Sequence, residues 1–264
     1  MTSAPTGPAV PKDAAALPSG ASMPLLGFGT WQLQGDTARS ATAVALEAGY
    51  RHLDTATFYG NEREVGAALA EAGEPVFVTT KLPPDSAGQA RQVLEQSLEM
   101  LGLDAVDLWL VHWPPNGSAV PVWEAFVQAQ ADGLARDIGV SNFSADLLDE
   151  VTSATGVRPS VNQIRWSPLL FDRSVLDGHR ERGVVLEGYS GLKGGTLTDP
   201  TITGIAERHG RTPAQVIVRW HLQHGSVVIP RSSNAERIAA NADVAGFTLT
   251  DDDMAAMDAL GGPS

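Results

Sequence analysis

Short apolar runs recur along the chain, roughly every 25 to 30 residues. They fall at 25–31 (LLGFGTW), 51–55 (RHLDT), 76–82 (VFVTTKL), 106–113 (VDLWLVHW), 135–141 (ARDIGVS), 160–165 (SVNQIR), 184–190 (VVLEGYS) and 227–230 (VVIP). Several are apolar almost throughout rather than alternating. That is the pattern of parallel strands covered on both faces. Amphipathic stretches separate them, and their ends carry stop and start signals. Asn61 is placed to cap the first of these helices, with Glu64 at the capping-box position. Gly102 follows SLEMLGL as a stop, and Ser144 precedes ADLLDEV as a cap. Thr212 is a cap followed by proline at the first helical position, and Thr250 with Asp253 starts the last helix.

Eight strands alternating with helices predict βα units around a parallel sheet, and eight units closing on themselves use about 250 residues. The chain has 264. Its first residues are small and proline-rich. The expectation is an α/β fold, a single (β/α)8 TIM barrel over residues 17–264 behind a flexible tail at 1–16. No linker-like segment interrupts it. A doubly wound open sheet is the rival, but Gly27-Phe28-Gly29-Thr30-Trp31 lacks the third glycine of a dinucleotide-binding fingerprint.

Composition narrows the function. There is no cysteine, which excludes a disulfide scaffold, a thiolate nucleophile and a Cys-ligated metal centre; no metal is expected. Thirty-one acidic residues against 18 basic ones give a formal charge of -13, against general nucleic-acid binding. No apolar run reaches the length of a membrane helix, and the amino terminus lacks the basic and apolar regions of a signal peptide. The expectation is a cytoplasmic monomer acting on a small molecule, without nucleic acid or membrane as partner.

Active residues of a barrel sit where its strands end. Those ends read Trp31, Asp54, Lys81, His112, Asn142, Gln163, Tyr189 and Arg231, with Tyr59 just past the second strand. Each has an ordinary structural reading: Asp54 as a turn former, Lys81 as a solvated strand end, His112 as a core histidine, Tyr59 as rim packing. Yet the chain has only three lysines (Lys12, Lys81, Lys193) and three tyrosines (Tyr50, Tyr59, Tyr189). A lysine beside a tyrosine hydroxyl lowers the phenol's pKa from about 10, and an aspartate holds that lysine charged. A histidine opposite donates to a carbonyl oxygen. This is general-acid machinery with an oxyanion-type donor, suited to protonating a carbonyl oxygen as hydride reaches carbon.

At these residues the chain resembles the aldo-keto reductase superfamily. The resemblance rests on HLDTATFYGNE (52–62), TTKL (79–82), LGLDAVDLWLVHWP (101–114), IGVSNF (138–143), VNQI (161–164) and IPRSSNAERIAAN (229–241). Short connecting loops make the bacterial 2,5-diketo-D-gluconate reductase branch the nearest. The resemblance implies an NADPH-dependent oxidoreductase that reduces aldehydes or ketones to alcohols. Asp54, Tyr59, Lys81 and His112 match its catalytic tetrad, with Tyr59 as the acid, Lys81 and Asp54 tuning it, and His112 orienting the carbonyl. Ser141, Asn142 and Gln163 match contacts to the nicotinamide carboxamide, and Tyr189 the ring stacked on it. Ser190 and Leu192 match the pyrophosphate loop. Arg231, Ser232, Ser233 and Arg237 fall where the family holds the 2′-phosphate and adenine, and Asn241 matches an adenine contact. Phe28, Trp31, Phe58 and Trp113 are expected to wall the substrate pocket.

The chain departs from the family at several points. Arg231 stands for a usual lysine, Ala240 for a glutamate, Pro83-Pro84 for a tryptophan, and Gly191 for the proline of YSPL. With the end at GGPS, these changes predict an open pocket. Two other readings use the same residues: a Schiff-base lyase with Lys81 as nucleophile, and a non-catalytic NADP-sensing module.

Overall fold

The computed structural model describes residues 10–262. The chain enters through an antiparallel hairpin, β1 (Ala14–Ala16) and β2 (Ser22–Pro24). The expected tail therefore ends before Ala14. Alanines carry no period-two signal, and their pairing is a backbone property that the sequence does not display. Leu17 and Met23 are buried, and Ser19 at the hairpin turn donates through its amide and hydroxyl to the buried carboxylate of Asp137. Residues 1–9 of the expected tail lie outside the described residues.

Eight parallel strands follow: β3 (Phe28–Gly29), β4 (His52–Asp54), β5 (Phe77–Leu82), β6 (Val106–Val111), β7 (Ala135–Ser141), β8 (Val161–Arg165), β9 (Val185–Tyr189) and β10 (Val227–Val228). Each pairs with the next in sequence order. The two ends meet. Leu26 bridges Val228 in parallel, Gly27 N donates to Val228 O at 2.9 Å, and Val228 N donates to Leu25 O at 2.8 Å. The sheet closes into the expected (β/α)8 barrel, each predicted run supplying one strand. Closure has no unpaired edges to protect.

Helices α1 (Gly35–Glu47), α2 (Glu62–Leu69), α3 (Ala90–Leu101), α4 (Val120–Ala131), α5 (Ala145–Thr155), α6 (Arg173–Glu181), α7 (Pro200–His209), α8 (Pro213–Gln223), α9 (Ala235–Ala242) and α10 (Asp251–Asp258) follow the strands. Ser144, Thr212 and Thr250 cap their helices as expected, Ser144 accepting from Leu147 N, and Thr212 with Gln215 and Thr250 with Asp253 form reciprocal capping boxes. Gly102 ends α3 at φ 69°. Asn61 departs from expectation. It precedes α2, the second helix, and its side chain makes no cap bond. Instead it accepts from Thr55 Oγ1 and donates to the carbonyls of Thr30 and Leu33, each at 2.9 Å. Asn61 is fully buried, and buried carbonyls need donors.

Strand alternation corrects a second expectation. Gly29 lines the cavity at the barrel mouth, so Phe28 must point the other way. Phe28 is 1% exposed, packed edge-on against Tyr50 at 5.7 Å among the core side chains, and does not wall the pocket. Gly29 itself is required by closeness: a Cβ there would sit 2.9 Å from Ile229 O across the closing seam.

Candidate active site

Parallel register brings the strand ends to one level. Asp54 pairs with Thr79, Lys81 with Leu110, and Ser141 with Gln163. Above them opens a cavity of about 350 Å³. Its floor holds Asp54, Tyr59, His112, Ser141, Asn142 and Gln163. Trp31, Phe58, Trp113, Tyr189, Ser190, Leu192 and Arg231 also line the cavity.

Lys81 lies beneath Tyr59 and is fully buried. Its Nζ donates to Asp54 Oδ1 at 2.7 Å, to the Thr55 carbonyl at 2.9 Å and to Tyr59 Oη at 3.2 Å. All three ammonium protons are used. The other oxygen of Asp54 accepts from Gln163 Nε2 at 2.8 Å. Burial pulls the Lys81 ammonium down, but Asp54 and Tyr59 outweigh it and hold the group above its ordinary value. A lysine so held is protonated and hydrogen-bonded, not a free amine nucleophile.

Tyr59 overturns the expectation of a lowered phenol. Lys81 does favour its phenolate, but burial is the larger effect and leaves the hydroxyl above 10. The phenol is therefore fully protonated at neutral pH, the state a proton donor requires. His112 faces it with ring centres 5.7 Å apart. Burial and then Lys81 push the imidazole down to about 3, so it is neutral.

A second network joins this one at Gln163. Ser141 Oγ donates to the Gln163 carbonyl at 2.8 Å, Asn142 Nδ2 donates to Ser141 Oγ at 2.9 Å, and Tyr189 Oη donates to Asn142 Oδ1 at 2.9 Å. Asn142 (φ 63°) and Ser190 (φ 58°) hold left-handed backbone at the strand ends, as does Gln32 (φ 64°) just past β3. These are three strained residues on one rim, where strain marks function.

The rim aromatics are exposed for large apolar groups: Phe58 66%, Trp113 48% and Trp31 38%. Trp31 stacks on Phe58 at 5.9 Å and tilts against Tyr59 at 4.8 Å. Ser232, Ser233, Arg237 and Asn241 lie beyond the cavity lining, on the turn into α9 and along that helix. Lys193 is a lining residue that sequence reasoning missed. Its signal was present, since it is one of only three lysines. Gly191 also has a reason in the fold: a Cβ there would come within 3.0 Å of the buried His221 ring.

The residues fit a phosphorylated dinucleotide. The cavity lining combines the amide and hydroxyl groups of Ser141, Asn142 and Gln163, the half-buried Tyr189 ring and the cations Lys193 and Arg231. Among the described residues no cluster of histidine and acidic side chains could hold a metal, and no helix is long and apolar enough to cross a membrane.

Comparison with known proteins agrees. The family model described as "Aldo/keto reductase family" matches residues 25–261. An aldo-keto reductase of Mycolicibacterium smegmatis is 44% identical over 252 residues, 92% of either chain. The crystal structure of an aldo/keto reductase from Brucella melitensis superposes with a TM-score of 0.90 at 40% identity, covering 95% of this chain and 99% of the other. A variant of Gox0644 solved in complex with NADPH gives a TM-score of 0.91 at 39% identity, covering 94% and 93%. With strand ends, register and site chemistry all in agreement, the chain belongs to the aldo/keto reductase family.

Proposed function

We propose that the protein is an NADPH-dependent carbonyl reductase in which Tyr59 is the general acid. The observation that carries this reading is the Lys81 ammonium bonded at once to Asp54, Thr55 and Tyr59. NADPH supplies hydride when bound. Tyr59 Oη delivers its proton to the carbonyl oxygen as that oxygen gains charge. Lys81 then stands 3.2 Å from the phenolate left behind and stabilises it. Asp54 keeps Lys81 charged and aimed, and Gln163 keeps Asp54 in place. Neutral His112 donates a hydrogen bond to the substrate oxygen without competing as an acid.

Ser141, Asn142 and Gln163 are assigned to the nicotinamide carboxamide and Tyr189 to its ring face. Ser190 and Leu192 take the pyrophosphate loop. Arg231, Ser232, Ser233 and Arg237 take the 2′-phosphate end, and Asn241 the adenine. The exposed Trp31, Phe58 and Trp113 wall a wide substrate mouth. The short connecting loops favour the 2,5-diketo-D-gluconate reductase branch. The enzyme is read as one catalytic unit that includes the β1–β2 hairpin from Ala14, a cytoplasmic monomer.

The test is NADPH oxidation, followed by absorbance, with a panel of aldehydes and α-dicarbonyls. The wild type turns over and Tyr59→Phe does not, while still binding NADPH. Undiminished turnover in Tyr59→Phe sinks the mechanism.

A further inference from the structure

Under the tetrad, inside the barrel, lies a carboxyl group that takes no part in the proton transfer from Tyr59. Glu187 is on β9, between Gln163 of β8 and Val227 of β10 in register, and is fully buried. Among the described residues, neither carboxyl oxygen meets a hydrogen-bond donor of ordinary geometry, although Gln163 lies close by. A carboxylate buried without donors is severely unfavourable.

A titratable neighbour is His52 of β4, whose Nε2 is 3.9 Å from Glu187 Oε1. The partners of His52 fix its tautomer. Nδ1 faces the Pro24 carbonyl at 3.2 Å, an acceptor only, so Nδ1 carries the proton. Nε2 then presents a lone pair, which Thr79 Oγ1 at 3.2 Å can satisfy by donating. His52 thus has no proton to give Glu187, and two lone pairs would face each other if Glu187 were ionised.

We infer that Glu187 is a positioning residue for the reaction, holding a proton beneath the tetrad so that Lys81 balances Asp54 and Tyr59 alone. This rests on the reductase reading for its catalytic consequence, though not for the proton itself. The groups acting on the site are the charged Asp54 from β4 and Lys81 from β5, with neutral His52 from β4 and neutral Tyr59 above them. Its flanking strands offer only uncharged Gln163 and Val227. Burial first, then the Asp54 charge, push the Glu187 carboxyl up to about 8, and burial drops His52 to about 4. Both agree with a neutral acid beside a neutral imidazole. When Glu187 loses its proton to solvent at alkaline pH, a second negative charge faces Lys81. That charge raises the Tyr59 hydroxyl further and makes it a weaker acid.

Two measurements test this. The first is infrared difference spectroscopy of the unliganded full chain against Glu187→Gln. A protonated-carboxyl band present in the wild type at neutral pH, lost in the variant, and fading in the wild type as pH passes about 8 is expected. A wild-type pH titration of the same band stands even if the variant folds poorly. Absence of any such band overturns the proton assignment. The second is the pH profile of kcat for carbonyl reduction. Glu187→Gln, which is always neutral, should carry its activity to higher pH than the wild type. Superimposable profiles overturn the positioning role. A wild type that reduces no carbonyl fails the reductase reading, and the infrared result still decides whether Glu187 holds the proton.

Discussion

Asp54 and Gln163 are 109 residues apart in sequence and 2.8 Å apart across the barrel, Nε2 to Oδ2. That bond couples the proton-donating cluster to the amide network proposed for the cofactor. Asp54 therefore serves two partners, one on each oxygen, and what disturbs either side reaches the other.

The Asp54–Lys81 pair is 2% and 0% exposed. Removing one partner strands the other charge in the interior, which costs about 3–5 kcal/mol. Asp54→Asn and Lys81→Met should each lower the urea midpoint sharply. The double variant should regain most of that stability and none of the activity. Three variants of equal midpoint to the wild type would contradict the coupling.

Asn142 separates backbone strain from side-chain function. At φ 63°, alanine adds about 1 kcal/mol of left-handed strain, whereas glycine relieves it. Both remove the acceptor of the Tyr189 hydroxyl. Calorimetry should find NADPH binding weakened by a similar amount, about 10-fold, in Asn142→Gly and Asn142→Ala. Both lose the side-chain hydrogen bonds of Asn142, and the alanine variant should be the less stable of the two by about 1 kcal/mol. Unchanged affinity in both would remove Asn142 from the cofactor site.

Histidines that burial keeps neutral set the acid response, with His179 and His224 lowered in the same direction as the three largest shifts. Burial lowers His52 and His221 to about 4 and His112 to about 3, from an ordinary 6.5. The unfolded chain takes up these protons as pH falls through 6.5, and the folded chain does not until near pH 4. Their stability contribution is thus complete above pH 6.5 and is lost between 6.5 and 4. Each tenfold gap in proton affinity between the folded and unfolded chain is worth roughly 1.4 kcal/mol. Urea midpoints should fall from pH 7 to pH 5, with a shallower fall in His221→Gln. A flat profile would refute the assignment. For the same reason kcat should show no acid limb near 6.5 from His112.

Lys193 and Arg231 are the cations at the cavity edge of a chain with net charge -13. If they receive phosphate, fluorescence titration should show NADPH affinity falling with salt. Lys193→Ala and Arg231→Ala should each weaken binding and flatten that dependence. Arg237→Ala should narrow the preference for NADPH over NADH. Equal wild-type affinity for both cofactors would count against the 2′-phosphate assignment.

Local pattern was enough for much of this protein. Continuous apolar runs set the eight strands, because a strand buried on both faces has no choice of residue type. Thr212 and Thr250 announced their helices, because a cap bonds to backbone only two or three residues away. The polar strand ends announced the site, because core packing would not tolerate them. Pairings between distant segments were decided only by the closed barrel. The sequence does not display the backbone pairing of Ala14–Ala16, the inward turn of Asn61 to Thr30 and Leu33, or the outward turn of Phe28. The same holds for the place of Glu187 beside His52. In each case the controlling partner lies far away in sequence, and burial rather than local propensity sets the outcome.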